Sequence, residues 1–318
     1  PGITYSNGGV HATAPSTRIH DRVYKPAFDM IPTLQPYHSG VIDGPFTLLT
    51  TSQGCPFGCD FCAYARTKFI VRKPDEVVDD ILWLKHERHV RGILFFDDLI
   101  GLDKNAFKSI LEKMIERKAT LPFVACTRAN ILKPDLVKLM KRAGCIEVAI
   151  GIESGSPELL EQIDKRVTLD DIREASKLCH EADLIFYGMA IIGLPGETRE
   201  TVQQSVDFIK EIDPFYTQFC FSTPFPNTDI YKYYKENDLL LTEDWEKYTP
   251  LNPEPVVRTK DLTKEDLMEL REYIYKQLIF RPGYLLRKIR PFDWRWNIGG
   301  AMKIGRRALN LLTHKPVR

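Results

Sequence analysis

The chain has 318 residues, 43% hydrophobic and 27% charged, which is ample for a sizeable core in a soluble globular protein. No apolar run approaches the roughly 18 residues of a membrane span and no secretory leader opens the chain, so nothing is expected to cross a membrane. Seven cysteines, an odd number with three in one short loop, exclude a secreted disulfide framework and point to a reducing cytoplasm. The chain opens at Pro1 without an initiator methionine and reads as a processed or excised piece of something longer.

In chain order, Pro1 to Gly40 is rich in Pro, Gly and Ser and reads as a linker. Six β-branched or aromatic runs follow, at Pro45–Ser52, Gly92–Asp97, Pro122–Thr127, Ile146–Ile152, Leu184–Ile192 and Phe215–Thr223. Amphipathic stretches separate them. Pro74–Val90 carries Val77, Val78, Ile81 and Leu84 at helical spacing, with Pro74 suited to a first turn. Asp103–Lys118 repeats the pattern with Phe107, Ile110, Leu111 and Met114. Lys133–Ala143 stops at Gly144, Thr168–Ala182 follows, and Thr198–Ile212 begins with a capping threonine. Strand–helix alternation implies parallel strands with crossover helices. Six units make either an open doubly wound sheet or a partial (β/α)6 barrel, and periodicity alone does not choose. Both architectures assemble their sites at the C-terminal ends of the strands.

The loop after the first strand reads Gly54-Cys55-Pro56-Phe57-Gly58-Cys59-Asp60-Phe61-Cys62. Three thiolates held this tightly can ligate three irons of a cubane 4Fe–4S cluster and leave the fourth iron open. A structural zinc site would want a fourth ligand, but the next cysteine is Cys126, with no histidine nearby. A disulfide would strand one thiol. The loop resembles the signature of the radical S-adenosylmethionine (radical SAM) enzymes. That resemblance implies the partial barrel, with metal ligands Cys55, Cys59 and Cys62. It further implies SAM chelated to the open iron through its amino and carboxylate groups. An electron from a flavodoxin- or ferredoxin-like reductant then cleaves SAM to a 5′-deoxyadenosyl radical, which abstracts hydrogen from substrate. Such clusters are oxygen-sensitive, which fits an anaerobic or microaerobic cytoplasm.

The other motifs fall at later strand ends. Asp97 and Asp98, in Phe95-Phe96-Asp97-Asp98, read on spacing as a metal pair or as caps for the helix near Asp103. The resemblance instead makes them contacts to the SAM amino group. Gly151-Ile152-Glu153-Ser154-Gly155-Ser156 ends the fourth strand. The resemblance implies a ribose contact for Glu153 and places Ser154 and Lys165 near the SAM carboxylate, although Lys165 also reads as a solvated helix end. Ile192-Gly193-Leu194-Pro195-Gly196-Glu197 is a tight turn that resembles the family's adenine-binding turn. Ile192 and Gly193 would line the base and Glu197 would orient the turn. Phe61 joins this cofactor-binding set. In Thr223-Pro224-Phe225-Pro226-Asn227-Thr228, Asn227 stands where relatives usually carry glycine, and asparagine tolerates the left-handed backbone that such a turn needs. Arg128 reads either as a holder of an anionic group or as one half of a surface ion pair. Cys126, Cys145, Cys179 and Cys220 read as buried small hydrophobes. Tyr64 and Tyr187 read as substrate-side groups near strand ends or as packing. Catalytic residues for substrate are not identified.

The resemblance extends to the cobalamin-type branch, which includes hopanoid-biosynthesis proteins and the anaerobic magnesium-protoporphyrin monomethyl ester cyclase. Gly2-Ile3-Thr4-Tyr5 and Asp29-Met30-Ile31-Pro32 resemble the junction after a cobalamin-binding domain. Residues 1–43 therefore read as a linker behind a missing upstream domain, 44–238 as the radical SAM core and 239–318 as a helical extension. Cobalamin use belongs to the parent protein, since no cobalamin motif occurs in the chain. Residues 281–318 hold ten Lys/Arg and one acid, a balance of +9, which leaves −8 for the remainder. With Trp294 and Trp296 interleaved, this tail reads as a peripheral contact with the inner face of the membrane or as a cap on the acidic core. Nucleic acid is not favoured, because no RNA-binding signature accompanies the charge. The reading is a radical SAM enzyme of methyltransferase or oxidative cyclase type acting on a hydrophobic, lipid- or tetrapyrrole-like substrate by methylation, cyclisation or rearrangement. The alternatives are a tRNA methylthiotransferase-like enzyme and an iron–sulfur protein for electron transfer or redox sensing.

Overall fold

A computed structural model describes residues 4–6, 10–12, 26–35, 37, 41–42, 44–281 and 284. Six strands form one sheet: β1 (Phe46–Leu49), β2 (Gly92–Phe95), β3 (Phe123–Thr127), β4 (Cys145–Glu153), β5 (Ile185–Ile192) and β6 (Tyr216–Phe221). Every neighbouring pair is parallel, and the spatial order follows the chain from β1 to β6. A doubly wound sheet reverses its strand order at a switch point. This sheet has no reversal, so the barrel-type winding is the one the chain adopts, with β1 and β6 as the two edges.

The crossovers are α1 (Pro74–His86), α2 (Lys104–Glu116), α3 (Pro134–Ala143), α4 (Pro157–Gln162) with α5 (Leu169–Glu181), and α6 (Arg199–Ile212). Their ends follow local chemistry. Pro74 and Pro134 sit in first turns, and Gly144 closes α3 in the left-handed conformation at φ +108°. Reciprocal capping boxes start α5 at Thr168/Asp171 and α6 at Thr198/Thr201. Asp103 caps α2 by accepting from the Ala106 N–H, which frees Asp97 and Asp98 from the capping role that spacing allowed them.

The core lies between one face of the sheet and these helices. Val148, Ile150 and Ile152 of β4 and Phe186, Ala190 and Ile192 of β5 are buried there with Ile81 and Leu84 of α1 and Ile110 and Leu111 of α2. Phe28 and Leu34 belong to the same core, so part of the segment before residue 43 packs on the domain; Thr4–Ser6 and Val10–Ala12 pair as a small hairpin. Beyond β6 come α7 (Asp229–Glu236) and α8 (Lys264–Ile279), the latter started by a Thr263/Asp266 capping box. The Phe219 N–H of edge strand β6 donates to Tyr275 Oη of α8 at 3.2 Å, which covers an edge that would otherwise expose unpaired backbone. The basic tail from residue 285 onward, with Trp294 and Trp296, lies outside the described residues.

Candidate functional site

The cysteine loop is built as a closed flap. Ser52–Gln53 pairs antiparallel with Ile70–Val71 at its base. Above that ladder, the Thr67 N–H donates to Cys55 O at 3.0 Å and the Cys55 N–H to Thr67 Oγ1 at 2.8 Å. Gly54 turns the chain at φ +87°, where a Cβ would stand 2.0 Å from Lys68 O, so only glycine fits. Cys55, Cys59 and Cys62 are all free thiols. Burial pushes the Cys55 and Cys62 thiols up, and the neighbouring Cys59 adds to both, as expected of sulfurs sharing one small volume. Among the described residues no three His, Cys, Asp or Glu side chains converge on a single-ion position. A cubane needs its thiolates apart, one per iron, and an all-thiolate donor set suits an iron–sulfur cluster.

Asp97 and Asp98 tether this flap to the end of β2. Asp97 is buried and accepts from Thr51 N–H at 3.0 Å, Thr51 Oγ1 at 2.7 Å, Ser52 N–H at 2.5 Å and Ser52 Oγ at 2.6 Å, all on Oδ1. Burial raises its pKa against the pull of these donors. Asp98 Oδ2 accepts from the Gly54 N–H at 2.7 Å. Both carboxylates thus position the loop, Asp97 with its acceptors committed to the chain.

Glu153 ends β4 with φ +58°, beside a register shift between Gly151 and Glu153. This strained backbone turns the carboxylate back over Gly151, where a Cβ would stand 2.2 Å from Glu153 Oε1. Lys165 Nζ donates to Glu153 Oε1 at 2.5 Å and lies 5.6 Å from the Phe61 ring centre. Both charged residues are 7% exposed, so the solvated reading of Lys165 is overturned: its ammonium is drawn inward by the carboxylate. Ser154 faces the other way, with its Oγ accepting from the Ser156 N–H at 3.1 Å and lying 3.2 Å from Ser205 Oγ of α6.

The turn after β5 is held by a buried acid. Glu197 Oε2 accepts from the Gly193 N–H and, at 3.3 Å, from the Leu194 N–H, while burial pushes its pKa up to about 7. Gly193 stands at φ +87°, and Tyr234 Oη donates to its carbonyl. The Ile192 side chain is in the core and its carbonyl accepts from the Ser222 N–H at 2.7 Å. Asn227 takes φ +65°, the left-handed backbone expected where relatives carry glycine.

Several residues differ from their sequence readings. Arg128 is no surface ion pair: it is 6% exposed and Nη1 lies 3.3 Å from Cys59 Sγ. Cys145 and Cys179 are buried, whereas Cys126 and Cys220 are half-buried on the sheet face opposite the helices. Burial puts the Cys126 thiol up to about 11. Tyr64 is exposed, and Tyr187 sits near the start of β5 and not its C-terminal end, stacked on Tyr216 at 4.4 Å. Tyr216 Oη donates to buried Glu147 at 2.6 Å. Period-two alternation along β4 places Glu147 with Ala149 and Gly151, on the face opposite Val148 and Ile150; that signal was in the sequence, but the Tyr216 partner was not.

A parallel sheet wound like this one, with a three-thiol flap at its C-terminal edge, has the donor set that suits an iron–sulfur protein. The Radical SAM superfamily matches residues 49–209, and the chain belongs to it; the family carries a 4Fe–4S cluster and SAM as its cofactors. The chain is 33% identical, over 91% of its length and 63% of the relative's, to an uncharacterized methyltransferase of Pyrococcus horikoshii. It is 28% identical, over 76% of its length and 42% of the relative's, to the anaerobic magnesium-protoporphyrin IX monomethyl ester cyclase of Cereibacter sphaeroides. The chain therefore spans about four to six tenths of these relatives. In fold it is similar to the cobalamin-dependent S-adenosylmethionine radical enzyme OxsB, with a TM-score of 0.64 at 16% identity over 96% of this chain and 50% of that one.

Proposed function

We propose that the chain is the SAM-cleaving core of a larger enzyme that methylates or oxidatively cyclises a hydrophobic, lipid- or tetrapyrrole-like substrate. Cys55, Cys59 and Cys62 would hold the 4Fe–4S cluster, which when bound supplies the electron that cleaves SAM and so starts radical chemistry. Phe61, Asp98, Glu153, Lys165 and the Ile192–Glu197 turn would bind SAM. Asp97 and Ser154 would fix the backbone beneath those contacts. The observation that carries the reading is the meeting, at one edge of the sheet, of a free three-thiol flap with the Lys165–Glu153 pair. The similarity to a methyltransferase and a tetrapyrrole cyclase supports the two reaction types and the substrate class. The division into linker (1–43), core (44–238) and extension (239–318) stays part of this proposal, as do a flavodoxin- or ferredoxin-like reductant and cobalamin carried by a domain outside this chain.

No helix among the described residues is long and apolar enough to cross a membrane, so a membrane role would be peripheral, through residues 281–318. The decisive experiment gives the full-length parent protein methyl-labelled SAM with a magnesium-tetrapyrrole ester and with a polycyclic lipid. Methylation predicts label in the product. Cyclisation predicts an oxidised product without label, with 5′-deoxyadenosine formed. Neither product, with 5′-deoxyadenosine formed on a polar substrate instead, would overturn the substrate class.

A further inference from the structure

A buried guanidinium is costly unless its charge is compensated. Arg128 follows β3 and is 6% exposed, yet among the described residues no carboxylate forms an ion pair with it. What surrounds it is fixed and specific. Its guanidinium carbon lies 4.0 Å from the Phe57 ring centre, within the cysteine loop itself. Nη2 donates to the carbonyl of Lys165 and, at 3.2 Å, to that of Arg166. Nη1 donates to Cys59 Sγ at 3.3 Å. Nε is buried and has no hydrogen-bond partner among the described residues. Two carbonyl dipoles and an aromatic face orient the cation but do not neutralise it. Asp164 acts on it only from a distance, its carboxyl being held down chiefly by Arg166 and least by Arg128. The group in contact with the guanidinium that can compensate its charge is the thiolate of Cys59, with the anionic cluster that the thiolate would hold.

We propose that Arg128 sets the reduction potential of the cluster held at Cys55, Cys59 and Cys62, through a charge-assisted N–H···S bond to Cys59; this inference rests on the cluster reading above. Reduction adds one electron, and so one negative charge, to a cluster already ligated by three thiolates. A cation locked against one of those sulfurs stabilises the reduced form more than the oxidised form, and hydrogen bonds to cluster sulfurs raise the potential in the same direction. The fork of the guanidinium matters as well as its charge, because the Phe57 stack and the two carbonyls hold Nη1 on the sulfur. Arg128 is thus a positioning and tuning residue, ligating nothing itself.

The test is a redox titration, followed by the EPR signal of the reduced cluster, on the anaerobically reconstituted full chain. Wild type is compared with Arg128→Gln and Arg128→Lys, with iron and sulfide per chain measured in each. Loaded Arg128→Gln is expected to show a reduced-to-oxidised ratio about tenfold lower at fixed potential, a downward shift of about 59 mV for a one-electron couple. Arg128→Lys, which keeps the charge and loses the fork, should fall between the two. A purely structural strut would lower cluster loading while the loaded fraction titrated at the wild-type potential, and that result overturns the inference. Arg128→Met serves as a second neutral variant should glutamine hinder loading. Failure of the wild-type chain to take up iron would overturn the cluster reading itself, whereas a loaded neutral variant at wild-type potential overturns only the role of Arg128.

Discussion

The two faces of the sheet come from the same six strands and do opposite things. On the helix side, Val148, Ile150 and Ile152 of β4 are fully buried against apolar helix stripes. On the other side lie Glu147, Ala149 and Gly151, and past the register shift the left-handed turn at Glu153 brings a second carboxylate back over Gly151. Cys126, Tyr187, Tyr216, Gln218 and Cys220 share that face and remain half-buried. One face is packed with apolar side chains for stability and the other is polar, with the Glu153–Lys165 pair at the C-terminal edge where the cysteine flap closes and buried Glu147 near the start of β4. Parity along a strand, and at Glu153 the irregularity that breaks it, therefore decides whether a residue serves fold or chemistry.

Substitutions on either face should separate these roles. The largest effect is expected from Cys55→Ala, Cys59→Ala or Cys62→Ala, each abolishing SAM cleavage and lowering bound iron while far-UV circular dichroism stays native, because none of the three is a member of the buried helix-side core and Cys55 only packs against it. Glu153→Gln comes next. It leaves Lys165, 7% exposed, as an unpaired buried cation, at a cost of about 3–5 kcal/mol, together with weaker SAM binding by calorimetry. Ile150→Ala, on the packed face, should cost about 2–5 kcal/mol in urea unfolding and leave iron content unchanged. If Ile150→Ala lost iron at native fold content, the division between faces would be wrong.

The smallest effect is a pH dependence. Burial raises Glu147 from its ordinary 4.5 to about 7, although the Tyr216 hydroxyl pulls it down. The folded chain therefore keeps a proton that the unfolded chain releases. Its stabilising contribution is complete below about pH 4.5 and is lost as pH rises through about 7, at most about 3 kcal/mol in all. Glu197, also at about 7, acts with the same sign. Wild type should lose stability relative to Glu147→Gln between about pH 5 and pH 8; parallel urea midpoints across that range would contradict the buried placement.

Much of this arrangement was legible in the sequence because it is local. Strand periodicity placed all six strands within a few residues, and the capping threonine Thr198 marked a helix start that the structure realises as a capping box with Thr201. Asn227 announced its left-handed turn. What could not be read was non-local. Asp97 looked like a cap or a cofactor contact because nothing in its neighbourhood shows that Thr51 and Ser52, 46 and 45 residues earlier, would take up its oxygens. Arg128 read either as a holder of an anionic group or as half of a surface ion pair, and nothing local pointed to Cys59, 69 residues away. Lys165 read either as a group near the SAM carboxylate or as a solvated helix end, and its partner Glu153 depended on a strained turn that spacing does not show. The short ladder Ser52–Gln53 with Ile70–Val71, which closes the flap, is too brief to leave a period-two pattern.

The central claim, that the three-thiol flap and the polar edge beside it form a SAM-cleaving centre, is tested most directly by 5′-deoxyadenosine production. The protein is reconstituted anaerobically with iron and sulfide, reduced with dithionite and given SAM. The account predicts 5′-deoxyadenosine from wild type and none from Cys55→Ala, Cys59→Ala or Cys62→Ala. No 5′-deoxyadenosine from a fully loaded wild-type protein, with an EPR signal that SAM leaves unchanged, would contradict it.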